Sequence, residues 1–180
     1  MVSEGELVAQ HHRSRLPYVE SVLAEVWRLG PIAPIALNRG VEKETKLGGY
    51  TLKPGDLILP LIFSLTLDKE VWGEDVHTFR PERHLDEKGS MQLTMSFTMC
   101  QNDSFIDILN TEKMYIFGFG RRRCLGETVA KSEGFLFLAN LLHHFKIKAG
   151  EGMGNLPDPR IPKDGFALGP RKFTAKFTQL

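Results

Sequence analysis

Ten consecutive residues, 117–126, read Phe-Gly-Phe-Gly-Arg-Arg-Arg-Cys-Leu-Gly and constrain this chain more than any other stretch. They set one cysteine, Cys124, in a loop that is glycine-rich, aromatic and basic, and that runs directly into an apolar helical pattern. A thiolate that is to bind a metal needs positive charge beside it and the N-terminus of a helix directed at it. Glycines let the backbone turn sharply and let a flat cofactor approach it. A free cysteine on its own more often ends as a small buried hydrophobe. The residues around Cys124 therefore carry the functional reading, and any fold built on them must bring a helix N-terminus to that thiol.

Length and charge narrow the alternatives. A chain of 180 residues can enclose one core, and 42% hydrophobic with 25% charged residues is ordinary for a soluble globular domain. The net charge of +1 gives no reason to expect a nucleic-acid partner. Arg121, Arg122 and Arg123 form a short basic run, which suits docking of an acidic partner better than nucleic-acid binding. Two cysteines, Cys100 and Cys124, are too few for a disulfide framework and point to a reducing compartment. The first residues show neither a basic-then-apolar leader nor a spanning run, so no membrane anchor is expected in this chain. His11-His12 and His143-His144 are adjacent pairs that point apart, and no CxxC or HxxxH spacing suggests zinc. Gly118-Phe119-Gly120 lacks the further glycine of a dinucleotide loop.

Residues 1–15 are polar and expected to be frayed. From residue 16 to 29, Val19, Val22, Leu23, Val26 and Trp27 follow helical spacing, with Pro17 in the first turn and Gly30-Pro31 as the stop. Pro31 and Pro34 keep 31–37 extended. Strand-like pieces follow at 39–41, 45–53 and 57–62, turned by Gly48-Gly49 and Pro54-Gly55. A short helix is expected at 67–71, and irregular chain from 73 to 83, anchored by Phe79 and Pro81. After Glu127 a long helix is apolar on most sides, through Val129, Ala130, Phe135, Phe137, Leu138, Leu141, Leu142 and Phe145, and reads as a buried central helix. Turn signals at 157–162 and at Asp164-Gly165 precede a last strand near 173–177.

Phe117, Gly120, Arg122, Cys124 and Gly126 match the spacing FxxGxRxCxG. That pattern resembles the haem-ligand loop of the cytochrome P450 monooxygenases. The resemblance implies an α+β fold, mostly helical with small β-sheets, over residues 16–180. It corresponds to the C-terminal, haem-loop half of an animal microsomal member. It implies haem b as cofactor, with Cys124 as metal ligand and catalytic centre. Phe117, Gly120, Gly126 and Arg122 would complete the cofactor-binding loop: Phe117 shields the sulfur, N–H groups near Leu125 and Gly126 tune it, and Arg122 holds a propionate. Arg39, eleven residues before Tyr50, sits at the offset of a second propionate contact; a solvated strand residue is the other reading.

Glu25 and Arg28 share one helix face at i,i+3, opposite the apolar stripe. An exposed pair of this kind contributes only ~0.3–0.5 kcal/mol. In the resembling family it meets an arginine of a Pro-Glu-Arg segment, here Arg83, in a network that holds the region beneath the loop without chemistry of its own. By family position, Ile32, Ala33, Pro34, Ile35 and Ala36, together with Phe166, Ala167 and Leu168, are expected substrate contacts.

The activity implied is monooxygenation of an apolar substrate, of the steroid or xenobiotic kind. Electrons would come from NADPH-cytochrome P450 reductase, with cytochrome b5 as a further donor, at the cytosolic face of the endoplasmic reticulum membrane. The family's anchor, oxygen-activation helix and most of its distal pocket have no match in this sequence. The alternative is therefore a truncated, non-catalytic fragment that binds haem or a partner. Residues 91–110 match nothing in the family and read as an atypical insertion or as translated non-coding sequence.

Overall fold

The computed structural model describes residues 2, 5–92, 115–118, 120–151, 156–158, 161, 163 and 167–180. Among these residues four helices, α1 (Pro17–Leu29), α2 (Ile62–Thr66), α3 (Lys69–Trp72) and α4 (Glu127–His144), accompany three two-stranded antiparallel sheets. The sheets pair β1 (Arg39–Gly40) with β4 (Leu57–Ile58), β2 (Thr45–Leu47) with β3 (Tyr50–Leu52), and β5 (Phe145–Ala149) with β6 (Ala175–Gln179). Single 3-10 turns at Gln10–Arg15, Pro81–His84 and Gly120–Arg122 complete the regular structure among the described residues. Helices with small sheets are the mixed architecture expected.

Helix α1 starts on Pro17, whose missing N–H is lost where a helix has no partner for it anyway. Its last turn closes as Gly30 N–H donates to Val26 O at 2.9 Å. Burial departs from the expected single stripe. Leu23, Ala24 and Leu29 are buried, but so are Ser21, Glu25 and Arg28, whereas Val26 is 47% exposed. The polar face can be enclosed because Glu25 and Arg28 satisfy each other. Two apolar clusters result: Val8, Leu23, Phe135 and Ala139 in one, and Ala24, Trp72 and Val76 in the other, with Trp27 against both. Helix α4 meets α1 at Gly134, where a Cβ would lie 3.2 Å from Leu23 Cδ1 and from Trp27 Cζ2.

The segment expected to fray is packed from Val8 onward. Val8 N–H donates to Asn140 Oδ1 at 2.8 Å, and Asn140 Nδ2 donates to Val8 O at 2.9 Å. The side-chain amide thus stands in for a neighbouring strand and satisfies a buried backbone. His12, buried in the adjoining turn, accepts the Ala9 N–H on Nδ1 at 3.0 Å.

Three further boundaries differ from expectation. The strand beginning at Leu57 stops at Ile58, because Pro60 cannot donate to a ladder, and α2 begins at Ile62. The helix expected at 67–71 is α2 and α3 divided at Asp68, whose Oδ1 caps the Glu70 N–H at 2.8 Å. The last strand runs 175–179, with Phe173 outside it. Before it, Gly150 N–H bonds Thr174 O, and a Cβ on Gly150 would fall 2.2 Å from Thr174 Oγ1.

Helix α4 is not enclosed on all sides. Phe135 and Ala139 are buried, while Val129 is 58% and Phe137 70% exposed, because the described residues cover only the flank facing α1 and Val8. No helix among the described residues is long and apolar enough to cross a membrane. Of the stretch 91–110, all but Met91 and Gln92 lies outside the described residues, as do Cys100, Asp164-Gly165 and Phe166.

Candidate functional site

The loop ahead of α4 folds back on itself. Gly118 N–H donates to Tyr115 O at 2.8 Å, Arg123 N–H to Gly120 O at 3.1 Å, and Cys124 N–H to Phe117 O at 2.8 Å. Gly118 and Gly120 have φ of 69° and 65°, a left-handed backbone that side-chain-bearing residues adopt at a cost. The 3-10 turn between these bonds leaves Arg121 and Arg122 exposed. Cys124 is exposed, and Leu125 beside it is wholly so. Gly126 caps α4, its carbonyl accepting the Ala130 N–H at 2.8 Å. Phe117 lies edge-on to Trp27, ring centres 5.6 Å apart, under the Lys131 ammonium at 5.7 Å.

Glu127, in the first turn of α4, is 8% exposed and accepts from Arg123 Nε and Nη2 and from Lys131 Nζ. Burial alone would push its carboxyl up, but these two cations hold it below the usual carboxylate range. Of the two arginines expected to hold propionates, Arg122 is exposed on the loop and Arg39 lies half-buried in β1, paired in register with Ile58. Neither forms an ion pair among the described residues.

The structure brings Glu25, Arg28 and Arg83 together. Arg28 Nε and Nη2 reach the two Glu25 oxygens at 2.8 Å each, and Arg83 Nε reaches Oε1 at 3.0 Å. The Arg80 N–H donates to the same oxygen at 3.0 Å, and His84 Nε2 lies 2.9 Å from Oε2. Glu25, Arg28 and His84 are fully buried, and the Arg83 side chain is 4% exposed. The arginines spend their remaining donors on carbonyls: Arg28 Nη1 on Thr66 O at 2.9 Å, and Arg83 on Trp72 O and Asp75 O at 3.1 Å each. Arg83 also touches the Asp75 carboxylate at 3.3 Å. Burial would raise the Glu25 pKa, yet the donors from Arg28, His84 and the Arg80 N–H hold it well below the ordinary range. Because a carboxylate accepts, the His84 ring carries its proton on Nε2.

The two apolar segments meet through one backbone bond, Leu168 N–H to Ile32 O at 2.8 Å. Ile32 and Leu168 line a groove of about 360 Å³ with Val26, Leu29, Phe63 and Phe79. Ala33 and Ile35 are exposed and outside its lining, as is Ala167.

Sequence reasoning missed His84, Asp75 and the Arg123–Glu127–Lys131 set. The last was visible, since 123, 127 and 131 repeat at i,i+4 with alternating charge. His84 follows the Pro-Glu-Arg segment directly, but a lone histidine there has no spacing signal.

A family model described as Cytochrome P450 matches residues 1–177. Over 141 residues the chain is 34% identical to cytochrome P450 1A1 of Cavia porcellus, covering 78% of this chain and 24% of that protein. It is 30% identical over 165 residues to cytochrome P450 2A6 of Homo sapiens, covering 92% and 30%. With cytochrome P450 18a1 of Drosophila melanogaster it shares 34% over 159 residues, covering 88% and 26%. The chain thus spans roughly a quarter to three tenths of the length of these relatives.

Proposed function

This chain belongs to the cytochrome P450 family, and on that premise we propose that it carries the haem-thiolate loop of a monooxygenase, with Cys124 as the residue that would bind the iron of haem b. The carrying observation is the exposed Cys124 directly ahead of α4, on a loop closed by its own N–H to Phe117 O. The donor chemistry fits the group. Among the described residues no three His, Cys, Asp or Glu side chains gather to form a closed metal centre. A single exposed thiol suits a metal that brings its other ligands with it, as iron in a macrocycle does. When bound, such a group supplies O–O cleavage favoured by thiolate electron donation, a rule for which P450s are themselves the reference case.

The chain's own residues do the holding. The Cys124 N–H bond to Phe117 O and the turn at Gly118 and Gly120 fix the sulfur's backbone. Gly126 lies beside the thiol, where a Cβ would sit in ordinary contact, 3.8 Å from Sγ. Arg122, exposed on the same loop, is the cation for a carboxylate of the cofactor, and Arg39 is a second candidate. The Glu25–Arg28–Arg83 network serves as scaffold. This position in the family corresponds to the C-terminal half of the fold.

For the whole protein the reading is insertion of one atom of O2 into an apolar substrate of steroid or xenobiotic kind. NADPH-cytochrome P450 reductase, and cytochrome b5 as a further donor, would supply electrons at the cytosolic face of the endoplasmic reticulum. The apolar groove bounded by Ile32 and Leu168 supports an apolar ligand. A second reading, haem or partner binding without turnover, draws support from the exposed apolar flank of α4 at Val129 and Phe137.

The test is to reconstitute the chain with haem and record the reduced carbon-monoxide difference spectrum beside that of Cys124→Ser. A thiolate-type Soret band that vanishes in the variant is the expected result, and no band in either overturns the ligand assignment. Substrate oxidation with reductase then separates the monooxygenase from a binding-only chain.

A further inference from the structure

Glu127 stands between two cations at the head of α4. Its Oε1 lies 2.6 Å from Arg123 Nη2 and 2.6 Å from Lys131 Nζ, while Oε2 accepts from Arg123 Nε. Arg123 immediately precedes Cys124, and its own N–H is fixed to Gly120 O. Lys131, one turn along α4, sits over the Phe117 ring, and the carbonyl of that same Phe117 takes the Cys124 N–H. The contacts close a circuit that runs Arg123, Glu127, Lys131, Phe117, Cys124 and back to Arg123 through the chain. The carboxylate at its centre is nearly buried, so its charge-assisted bonds are screened less than a surface pair would be.

The geometry points to Glu127 as a positioning residue for Cys124. It grips the residue before the cysteine and steers Lys131 onto the aromatic ring whose backbone holds the cysteine's amide. In doing so it sorts the arginine triplet, drawing Arg123 inward while Arg121 and Arg122 face out. The loop's shape is then set by charge as well as by its glycines. The inference deepens the reading of Cys124 as a ligand and rests on it for its functional meaning, but the bracing can be measured without cofactor.

Amide hydrogen exchange on the full chain, without haem, tests it in wild type, Glu127→Gln and Glu127→Asp. Exchange at the Cys124 and Arg123 amides should rise at least about tenfold in Glu127→Gln, the factor that losing one charge-assisted hydrogen bond produces. Glu127→Asp, which keeps the charge on a shorter arm, should raise it less. Unchanged exchange in Glu127→Gln overturns the proposal. So does an equal rise across the amides of α1, which would mean general loss of stability, and so does an equal rise in Gln and Asp. Should Glu127→Gln not fold, Arg123→Met removes the same grip from the other side, and it must raise Cys124 exchange more than Lys131→Met does.

A spectroscopic readout separates positioning from packing. In the haem-loaded, carbon-monoxide-bound protein, Glu127→Gln should convert part of the thiolate-type band to the form lacking a thiolate ligand, with less conversion in Glu127→Asp. Identical spectra in wild type and Glu127→Gln overturn the positioning role. If wild type itself shows no thiolate-type band, the ligand assignment falls, while the exchange result still decides whether Glu127 braces the loop.

Discussion

The Glu25 cluster and the head of α4 each gather cations around one buried carboxylate, and they differ in how far along the chain the cations come from and in how much of them water reaches. Glu25 collects donors from its own helix and from residues 80–84, with Arg83 and His84 respectively 58 and 59 positions away. The Glu25, Arg28 and His84 side chains are closed to water, and only 4% of the Arg83 side chain is exposed. Glu127 collects its partners from four residues on either side, and Arg123 keeps 29% of its side chain in solvent. A charge stranded in the first place has nowhere to be hydrated; one stranded in the second can turn outward. The two networks use the same chemistry, and the exposure of their arginines separates them.

Removing the Glu25 carboxylate should be the most damaging change. Glu25→Ala leaves Arg28 and Arg83 buried without their counter-ion and should cost about 3–5 kcal/mol. Urea denaturation would read this as loss of a cooperative transition or a large fall in midpoint. A result within 1 kcal/mol of wild type, well below that range, would erase the contrast between the two regions. Next is Gly150→Ala, whose new methyl collides with Thr174 and should cost ~1–3 kcal/mol through strain. Thermal melting checks it, and pairing with Thr174→Gly should recover most of the loss.

Acid sharpens the comparison further. Both Glu25 and Glu127 have folded pKa values held below the ordinary 4.5, so the unfolded chain binds more protons as pH falls through that value. Their stabilisation is therefore present above pH 4.5 and drains away below it. The urea midpoint should be insensitive to these groups at neutral pH and drop steeply in acid, and Glu25→Gln should flatten that drop more than Glu127→Gln. The smallest effect on stability belongs to the proposed ligand. Cys124→Ser, at an exposed position, should stay within about 0.5 kcal/mol of wild type while removing any thiolate-type spectrum.

Much of the fold is legible in the sequence. Pro17 and Gly30 bound α1, and Gly48-Gly49 turn the β2–β3 hairpin as their composition implies. The same local logic failed where the decisive partner was remote. Nothing local in Glu25-x-x-Arg28 tells a solvated pair from a buried one; burial came from Thr66, Arg80, Arg83 and His84, all far along the chain. The reading of 57–62 as one strand passed over Pro60, a signal that was present and should have ended it. Helix α4 looked buried because periodicity counts apolar residues, and exposure depends on which neighbours arrive. Asn140, polar in an apolar run, was the one clue that the segment from Val8 would dock. For the site, the loop pattern located Cys124, but the bracing by Glu127 needed the i,i+4 charges to be weighed as well as the glycines.

The Val8–Asn140 clasp also imposes an order in time. Its two halves lie 132 positions apart, and a ribosome adds about 5–20 residues each second, so the segment at Val8 waits roughly 7–26 seconds for its partner. Until then Val8 lacks the Phe135 and Ala139 side of its cluster. Nascent chains arrested at residue 130 should accordingly be cleaved by protease near Val8, and chains released at full length should be protected there.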